Sequence, residues 1–125
     1  MLVQKLRGDG ITSEVIRGDV SASNRTDIFD RFQTASDPKV LVVQPQSAAH
    51  GVTLTAANTI VWWGPTSSLE TYLQANARIH RAGQDQKCTV IQLAGSAAEK
   101  RIYRMLDERI NIHTAMIDLY KEILD

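Results

Sequence analysis

The sequence is short of several things, and each shortage excludes something. Of its 125 residues one is a cysteine, Cys88, so there is no internal disulfide and the chain suits a reducing compartment. It has no charge of one sign: 14 Lys+Arg stand against 14 Asp+Glu. That balance argues against a free-standing cationic nucleic-acid module, which would carry a basic footprint. No apolar run approaches the roughly 18 residues of a membrane span, and no basic-then-apolar leader opens the chain, so a cytoplasmic protein without a membrane partner is expected. No Gly-x-x-x-x-Gly-Lys-Ser/Thr loop occurs to cradle phosphates, and no Asp-Glu-x-His sequence to hold magnesium. His50, His80, His113 and Cys88 lack zinc-ligand spacing, so no metal site is expected, and no Ser-His-Asp or Cys-His spacing is indicated. What remains, 43% hydrophobic and 22% charged residues, is the balance of an ordinary soluble domain. Without repeats or linkers, residues 1–125 read as one domain.

Residues 1–7 (MLVQKLR) read as the end of an amphipathic helix broken at Gly8-Asp9-Gly10, with no capped start. A helix that short is marginal alone, so residues 1–8 are expected to be the end of a longer element, in a domain truncated at its N-terminus. Residues 12–17 (TSEVIR) form a strand candidate. Ser21 or Ser23 caps a predicted helix over residues 24–34, with Ile28, Phe29 and Phe32 as its apolar stripe. Three apolar, β-branched runs follow at residues 39–43 (KVLVV), 59–63 (TIVWW) and 89–93 (TVIQL). Each is expected to be a strand buried on both faces. Strands alternating with helices predict an α/β domain with a mostly parallel sheet flanked by helices. Ser67-Ser68-Leu69-Glu70 and Ser96-Ala97-Ala98-Glu99 both match the capping box. The first predicts a helix from Ser68 to about Arg81, stopping at Ala82-Gly83. The second starts a helical segment over residues 97–125, with residues 111–114 as a possible break. Trp62-Trp63 is expected in the core.

The most informative segment is residues 74–84, QANARIHRAGQ. At about 100° per residue, Gln74, Arg78 and Arg81 fall within about 60° on one helix face, opposite Leu69, Tyr72 and Ile79. Two like charges one turn apart repel, and they make sense where a polyanion sits opposite them. Arginine suits phosphate because its planar fork bonds two oxygens at once and does not deprotonate.

Q-x-x-x-R-x-x-R-x-G-Q resembles motif VI of the Swi/Snf-type ATPases, within the superfamily-two helicases and DNA translocases. It fits their second, C-terminal RecA-like domain. Val15-Ile16-Arg17-Gly18, then Arg25, Phe29 and Phe32-Gln33, resemble that family's strand-glycine, arginine and phenylalanine series. Residues 47–54 (SAAHGVTL) resemble motif V, and residues 62–84 are most similar to phage and prophage members. The sequence departs from the family where Ala48 and Ala49 replace two glycines, Thr53 replaces asparagine, and Ser67 stands at a position usually aromatic.

The resemblance implies a RecA-like three-layer fold and a motor lobe that closes with an N-terminal RecA-like lobe on one ATP and its Mg2+. That absent lobe would hold the nucleotide and the metal, so this chain alone holds neither and is expected to be inactive. Arg78 and Arg81 are then the expected arginine-finger pair, with Gln74 and Gly51 lining the ATP cleft. Gly18, Arg25, Ser47 and Thr53 are expected to touch the DNA backbone, with double-stranded DNA as the expected partner, or to couple it to the nucleotide site. A structural role for Arg25 stands beside that reading. The setting implied is the cytoplasm of a bacterial or phage-infected cell. Two other readings compete: a non-catalytic RecA-like lobe that binds DNA or a protein, favoured by the altered glycines, and a transferase complete within these residues, which the missing phosphate loop disfavours.

Overall fold

The computed structural model describes residues 2–48 and 52–124. In chain order the elements are α1 (Leu2–Gly8), β1 (Ser13–Ile16), α2 (Ala22–Thr34), β2 (Val40–Val43), a short 3-10 turn (Pro45–Ala48), β3 (Thr59–Trp62), α3 (Leu69–Asn76), β4 (Thr89–Gln92) and α4 (Ala97–Leu124). The expected order of helices and strands is therefore present, with most bounds shifted by a residue or two and α3 ending well short of the expected Arg81.

Every strand pairing among the described residues is parallel. β1 pairs with β2 in the register Ser13↔Val40 to Ile16↔Val43, and β3 with β4 from Thr59↔Thr89 to Trp62↔Gln92. The sheet is split, however, into two two-stranded halves. Gln33, in the last turn of α2, bonds Thr55 Oγ1 at 2.8 Å and accepts the Ala56 amide at 2.9 Å. That holds the approach to β3 beside the turn that leads into β2.

The local ends follow the chain's own chemistry. α1 closes where Gly10 takes φ +80°, which lets the Ile11 amide reach the Leu6 carbonyl at 2.9 Å. Ser21, rather than Ser23, caps α2, its Oγ accepting the Asn24 amide at 3.2 Å. Ser68, not Ser67, caps α3 by accepting from Thr71, and Glu70 is left to accept from Gln74 instead of reaching back. At α4 Ser96 accepts the Glu99 amide, and Glu99 Oε1 reaches back one residue further than a capping box requires, to the Gly95 amide. α4 runs unbroken for 28 residues, without the break considered at residues 111–114.

Two apolar clusters hold these pieces together. Ile16, Ile28, Phe29, Leu54 and Ile79 form one, and Trp62, Tyr72, Tyr103 and Leu106 the other, with Ile60 packed against both. The Trp62 and Tyr72 rings sit 4.8 Å apart, and Tyr103 donates its hydroxyl to the carbonyls of Trp62 and Leu93. The strands are not buried on both faces as their composition predicts. β2 is half-buried throughout, while Val61, Val90, Ile91 and Leu93 are exposed. Trp63 is 70% exposed, so only Trp62 of the pair is core. A strand is covered only where another layer lies over it, and a split sheet leaves edges and faces open.

Candidate functional site

The arginine segment is built differently from a simple helix. α3 ends at Asn76, with Ala77 as its cap, so Arg78 and Arg81 lie in the turns that follow rather than on the helix. The helical ladder breaks at Arg78, whose amide bonds the Ala75 carbonyl at 3.2 Å while its own Nε takes the Gln74 carbonyl. Arg78's carbonyl accepts the Leu54 amide at 2.8 Å, and Ile79's accepts Gln84 Nε2 at 3.0 Å. Asn76 Oδ1 meanwhile accepts Trp62 Nε1 at 2.9 Å. Gly83 then turns the chain at φ +97°. The expected apolar side nevertheless faces inward: Tyr72 and Ile79 are buried and Leu69 is half-buried.

This loop brings the arginines to the segment after the 3-10 turn. Arg78 Nε donates to the Gln74 carbonyl at 2.9 Å, capping an exposed end of α3. Arg81 Nη1 donates to the Val52 carbonyl at 3.1 Å. With the Leu54–Arg78 main-chain bond, two links join the motif VI-like and motif V-like stretches. The two guanidiniums also sense one another: burial, and next the like charge of Arg81, hold the Arg78 guanidinium below its ordinary value. Such a spot of positive potential fits an anion. Among the described residues no three His, Cys, Asp or Glu side chains converge as a metal-binding group.

Of the remaining expectations, Gly18 and Ser47 follow the carboxyl ends of β1 and β2, and the others lie elsewhere. Gly18 donates its amide to Gln44 Oε1 at 3.3 Å, linking the ends of the two strands. Ser47 is buried in the 3-10 turn, its amide donating to the Gln44 carbonyl at 2.8 Å. Thr53 is exposed between Val52 and Leu54. Arg25 is half-buried, and its Nη2 donates to the Val20 carbonyl at 3.1 Å and to the Arg17 carbonyl at 3.5 Å, pinning the loop between β1 and α2. Gln74's side chain is tied to Glu70 at 3.1 Å. Gly51, with Ala49 and His50, lies outside the described residues. Open α/β sheets bind ligands at the carboxyl ends of their strands, where Gly18 and Ser47 are found.

Sequence reasoning missed Gln84 as a structural residue. Its amide nitrogen bridges the Ala57 and Ile79 carbonyls at 2.7 and 3.0 Å, and its Oε1 accepts the Gln86 amide at 3.1 Å. It thereby clamps the arginine loop to the entry of β3. The one signal for it was its place after Gly83 in the arginine motif.

Comparison with known proteins puts this geometry in a family. The helicase conserved C-terminal domain matches residues 1–83. An uncharacterised ATP-dependent helicase of Mycoplasma genitalium is 30% identical over 85% of this chain. The chromatin-remodeling ATPase INO80 of Mus musculus is 32% identical over 80%. A SWI/SNF-related, matrix-associated, actin-dependent regulator of chromatin (subfamily A-like protein 1) of Drosophila melanogaster is 34% identical over 75%. The matched stretch is 10, 6 and 13% of those proteins respectively, so this chain spans a small part of the relatives it matches. The phage and prophage likeness of residues 62–84 is not tested by them.

Among solved structures, the C-terminal part of the Fun30 ATPase domain matches with a TM-score of 0.75 and 20% identity, over 84% of this chain and 34% of that one. The C-terminal domain of the DEAD-box protein Dbp5 matches with a TM-score of 0.72 and 21% identity, over 87% of this chain and 62% of that one. Both likenesses support the RecA-like fold. Among the described residues no helix is long and apolar enough to cross a membrane. The chain belongs to the helicase conserved C-terminal domain family, with Swi/Snf-type helicases as its relatives.

Proposed function

We propose that this chain is the C-terminal motor lobe of a DNA-dependent ATPase of the Swi/Snf type, supplying arginines to an ATP held on an N-terminal RecA-like lobe. The observation that carries the reading is the pair of bonds joining the arginine loop to the motif V-like segment, Arg81 Nη1 to the Val52 carbonyl and the Leu54 amide to the Arg78 carbonyl. They fix the backbone from which both guanidiniums project.

ATP hydrolysis spreads charge over the oxygens of the phosphoryl group in transfer, and a positioned guanidinium stabilises it. Arg81 is the finger nearer the γ-phosphate in this reading. Arg78, bonded to the Gln74 carbonyl, holds the second positive charge beside it, and Gln74 and Gly51 border the same cleft. Mg2+ and the phosphate-cradling loop belong to the N-terminal lobe. Gly18, Ser47, Thr53 and Arg25 stand by the DNA track, where backbone amides and small side chains approach phosphates closely. The DNA is read as duplex, and the setting as the cytoplasm of a bacterial or phage-infected cell.

The test joins this chain to an N-terminal RecA-like lobe and measures ATP hydrolysis with and without duplex DNA. DNA-stimulated hydrolysis that falls about a thousand-fold in Arg81→Ala supports the reading. An unchanged rate in that variant removes the finger assignment. Duplex binding without any hydrolysis by the wild-type pair favours the non-catalytic module.

A further inference from the structure

α2 turns an apolar stripe to the larger core cluster: Ile28 and Phe29 are buried in it, and Phe32 packs against it. Gln33 follows Phe29 by one helical turn and so shares that face, yet it is polar and only half-buried. Both ends of its amide are used. Nε2 donates to Thr55 Oγ1 at 2.8 Å, and Oε1 accepts the Ala56 amide at 2.9 Å. A side-chain amide satisfied at both ends favours one arrangement of the segments it joins, because any other leaves a half-buried polar group unpaired.

The segment it joins to α2 is the one that seats the arginine loop. Between Val52 and Ala57 the main chain meets that loop at three points. The Val52 carbonyl accepts from Arg81 Nη1, the Leu54 amide donates to the Arg78 carbonyl, and the Ala57 carbonyl accepts from Gln84 Nε2. Gln33 holds the residues in between, from α2. The Thr55 hydroxyl also stands against the arginine loop: a Cβ placed on Gly83 would lie 3.9 Å from Thr55 Oγ1. α2 is fixed by its core contacts, whereas residues 52–57 belong to no helix or strand. Their place in the fold therefore depends on such ties.

We infer that Gln33 is a positioning residue for Arg78 and Arg81: through Thr55 and Ala56 it ties to α2 the segment on which the arginine loop is seated. The inference rests on the reading of those arginines as the pair that meets ATP from the opposite lobe. In that reading the other lobe binds the nucleotide. A misplaced pair then loses stabilisation of the phosphoryl group in transfer and little ground-state binding, so the loss falls on kcat and not on KM.

The test measures ATP hydrolysis with duplex DNA in the two-lobe assembly, and amide exchange by NMR in the 125-residue chain alone. Gln33→Met keeps the length of the side chain and removes both bonds. It is expected to lower kcat about tenfold while KM for ATP stays within about twofold. Gln33→Glu keeps both bonds, since a carboxylate accepts from the Ala56 amide and from a rotated Thr55 hydroxyl. Its kcat is expected to stay within about twofold of the parent. A role in packing alone reverses that order, because methionine suits a half-buried place better than a carboxylate does. Thr55→Val keeps the side chain's shape and is expected to lower kcat about threefold in the parent, with no further fall in Gln33→Met. In the chain alone, Gln33→Met is expected to speed exchange of the Leu54 amide, whose partner is the Arg78 carbonyl, about fivefold.

Parent-level kcat in Gln33→Met overturns the inference, as does a loss that falls on KM, a Gln33→Glu rate below that of Gln33→Met, or an unchanged Leu54 amide. Additive losses in the double variant overturn it too. Where Gln33→Met does not fold, Thr55→Val decides, and an unchanged kcat there overturns the inference. A parent assembly without hydrolysis overturns the proposed function and this inference with it, whereas a working parent matched by Gln33→Met overturns this inference alone.

Discussion

Arg81 donates from Nη1 to the Val52 carbonyl at 3.1 Å, which ties the arginine loop to the segment that follows the 3-10 turn. The geometry of that bond uses a planar guanidinium with several donors at fixed angles, and an ammonium cannot reproduce it. In the two-lobe assembly, Arg81→Lys is expected to recover little of the hydrolysis lost in Arg81→Ala, remaining at least tenfold below the parent. Arg81 is exposed, so the urea midpoint of this chain is expected to shift by no more than about 0.5 kcal/mol in stability. Parent-level hydrolysis in Arg81→Lys would show that charge alone suffices at this position.

Gln84 offers a contrasting case, a residue whose loss is expected to act on stability first. Its side chain satisfies the carbonyls of Ala57 and Ile79 and accepts from the Gln86 amide. Gln84→Ala removes these partners from a half-buried position, at an expected cost of about 2 kcal/mol. Urea denaturation measures it. Because the clamp holds the turn that carries Arg81, faster amide exchange between residues 78 and 84 is expected in the same variant.

The strands were legible because β-branched apolar runs bounded by turn residues mark them locally. Their burial was not legible: the composition of residues 89–93 says that they are a strand, but not that Val90 and Ile91 lie open. The end of α3 shows the same limit. Helical periodicity carried through Arg81, whereas the chain leaves the helix at Arg78, whose amide bonds the Ala75 carbonyl while its own Nε takes the Gln74 carbonyl. At Ser67-Ser68 the doublet left the cap ambiguous by one residue, and only the Thr71 amide resolves it. For the candidate site, motif spacing singled out Arg78 and Arg81, and the structure adds what spacing could not, their links to Val52 and Leu54. Arg25's hold on the Val20 and Arg17 carbonyls is a loop contact that no spacing rule encodes.

Tyr103 gives the fold an alkaline limit. Burial first, and then the nearby Glu99 and Tyr72, push its hydroxyl above the ordinary tyrosine value. The unfolded chain therefore releases this proton first as pH rises past about 10. Stability contributed by the protonated hydroxyl is fully present below that pH and is lost as pH climbs toward the folded value. Tyr103→Phe deletes the bonds to the Trp62 and Leu93 carbonyls, an expected loss of about 1–2 kcal/mol at neutral pH. Thermal melts at pH 7 and above pH 10 should show a smaller alkaline drop in the variant than in the parent. An identical drop would place the alkaline sensitivity on another group.

The two ends of α4 should respond oppositely to change. Leu106 is 2% exposed and packs with Trp62, Tyr72 and Tyr103, and Ile110 is the last residue of the helix packed against that cluster. Leu106→Ala leaves a cavity in the smaller core, at an expected cost of about 3 kcal/mol. From Asn111 through Ile123 every residue is exposed, including Ile112, Met116, Leu119 and Ile123 on neighbouring turns. None of them packs against the Trp62–Leu106 cluster, so they add little to the domain's stability. Deleting residues 112–125 is therefore expected to change the unfolding free energy by less than about 1 kcal/mol, the contribution of a frayed helix end. Urea titration of the two variants side by side measures the contrast. A truncation as costly as Leu106→Ala would mean that the far half of α4 packs against the domain in solution.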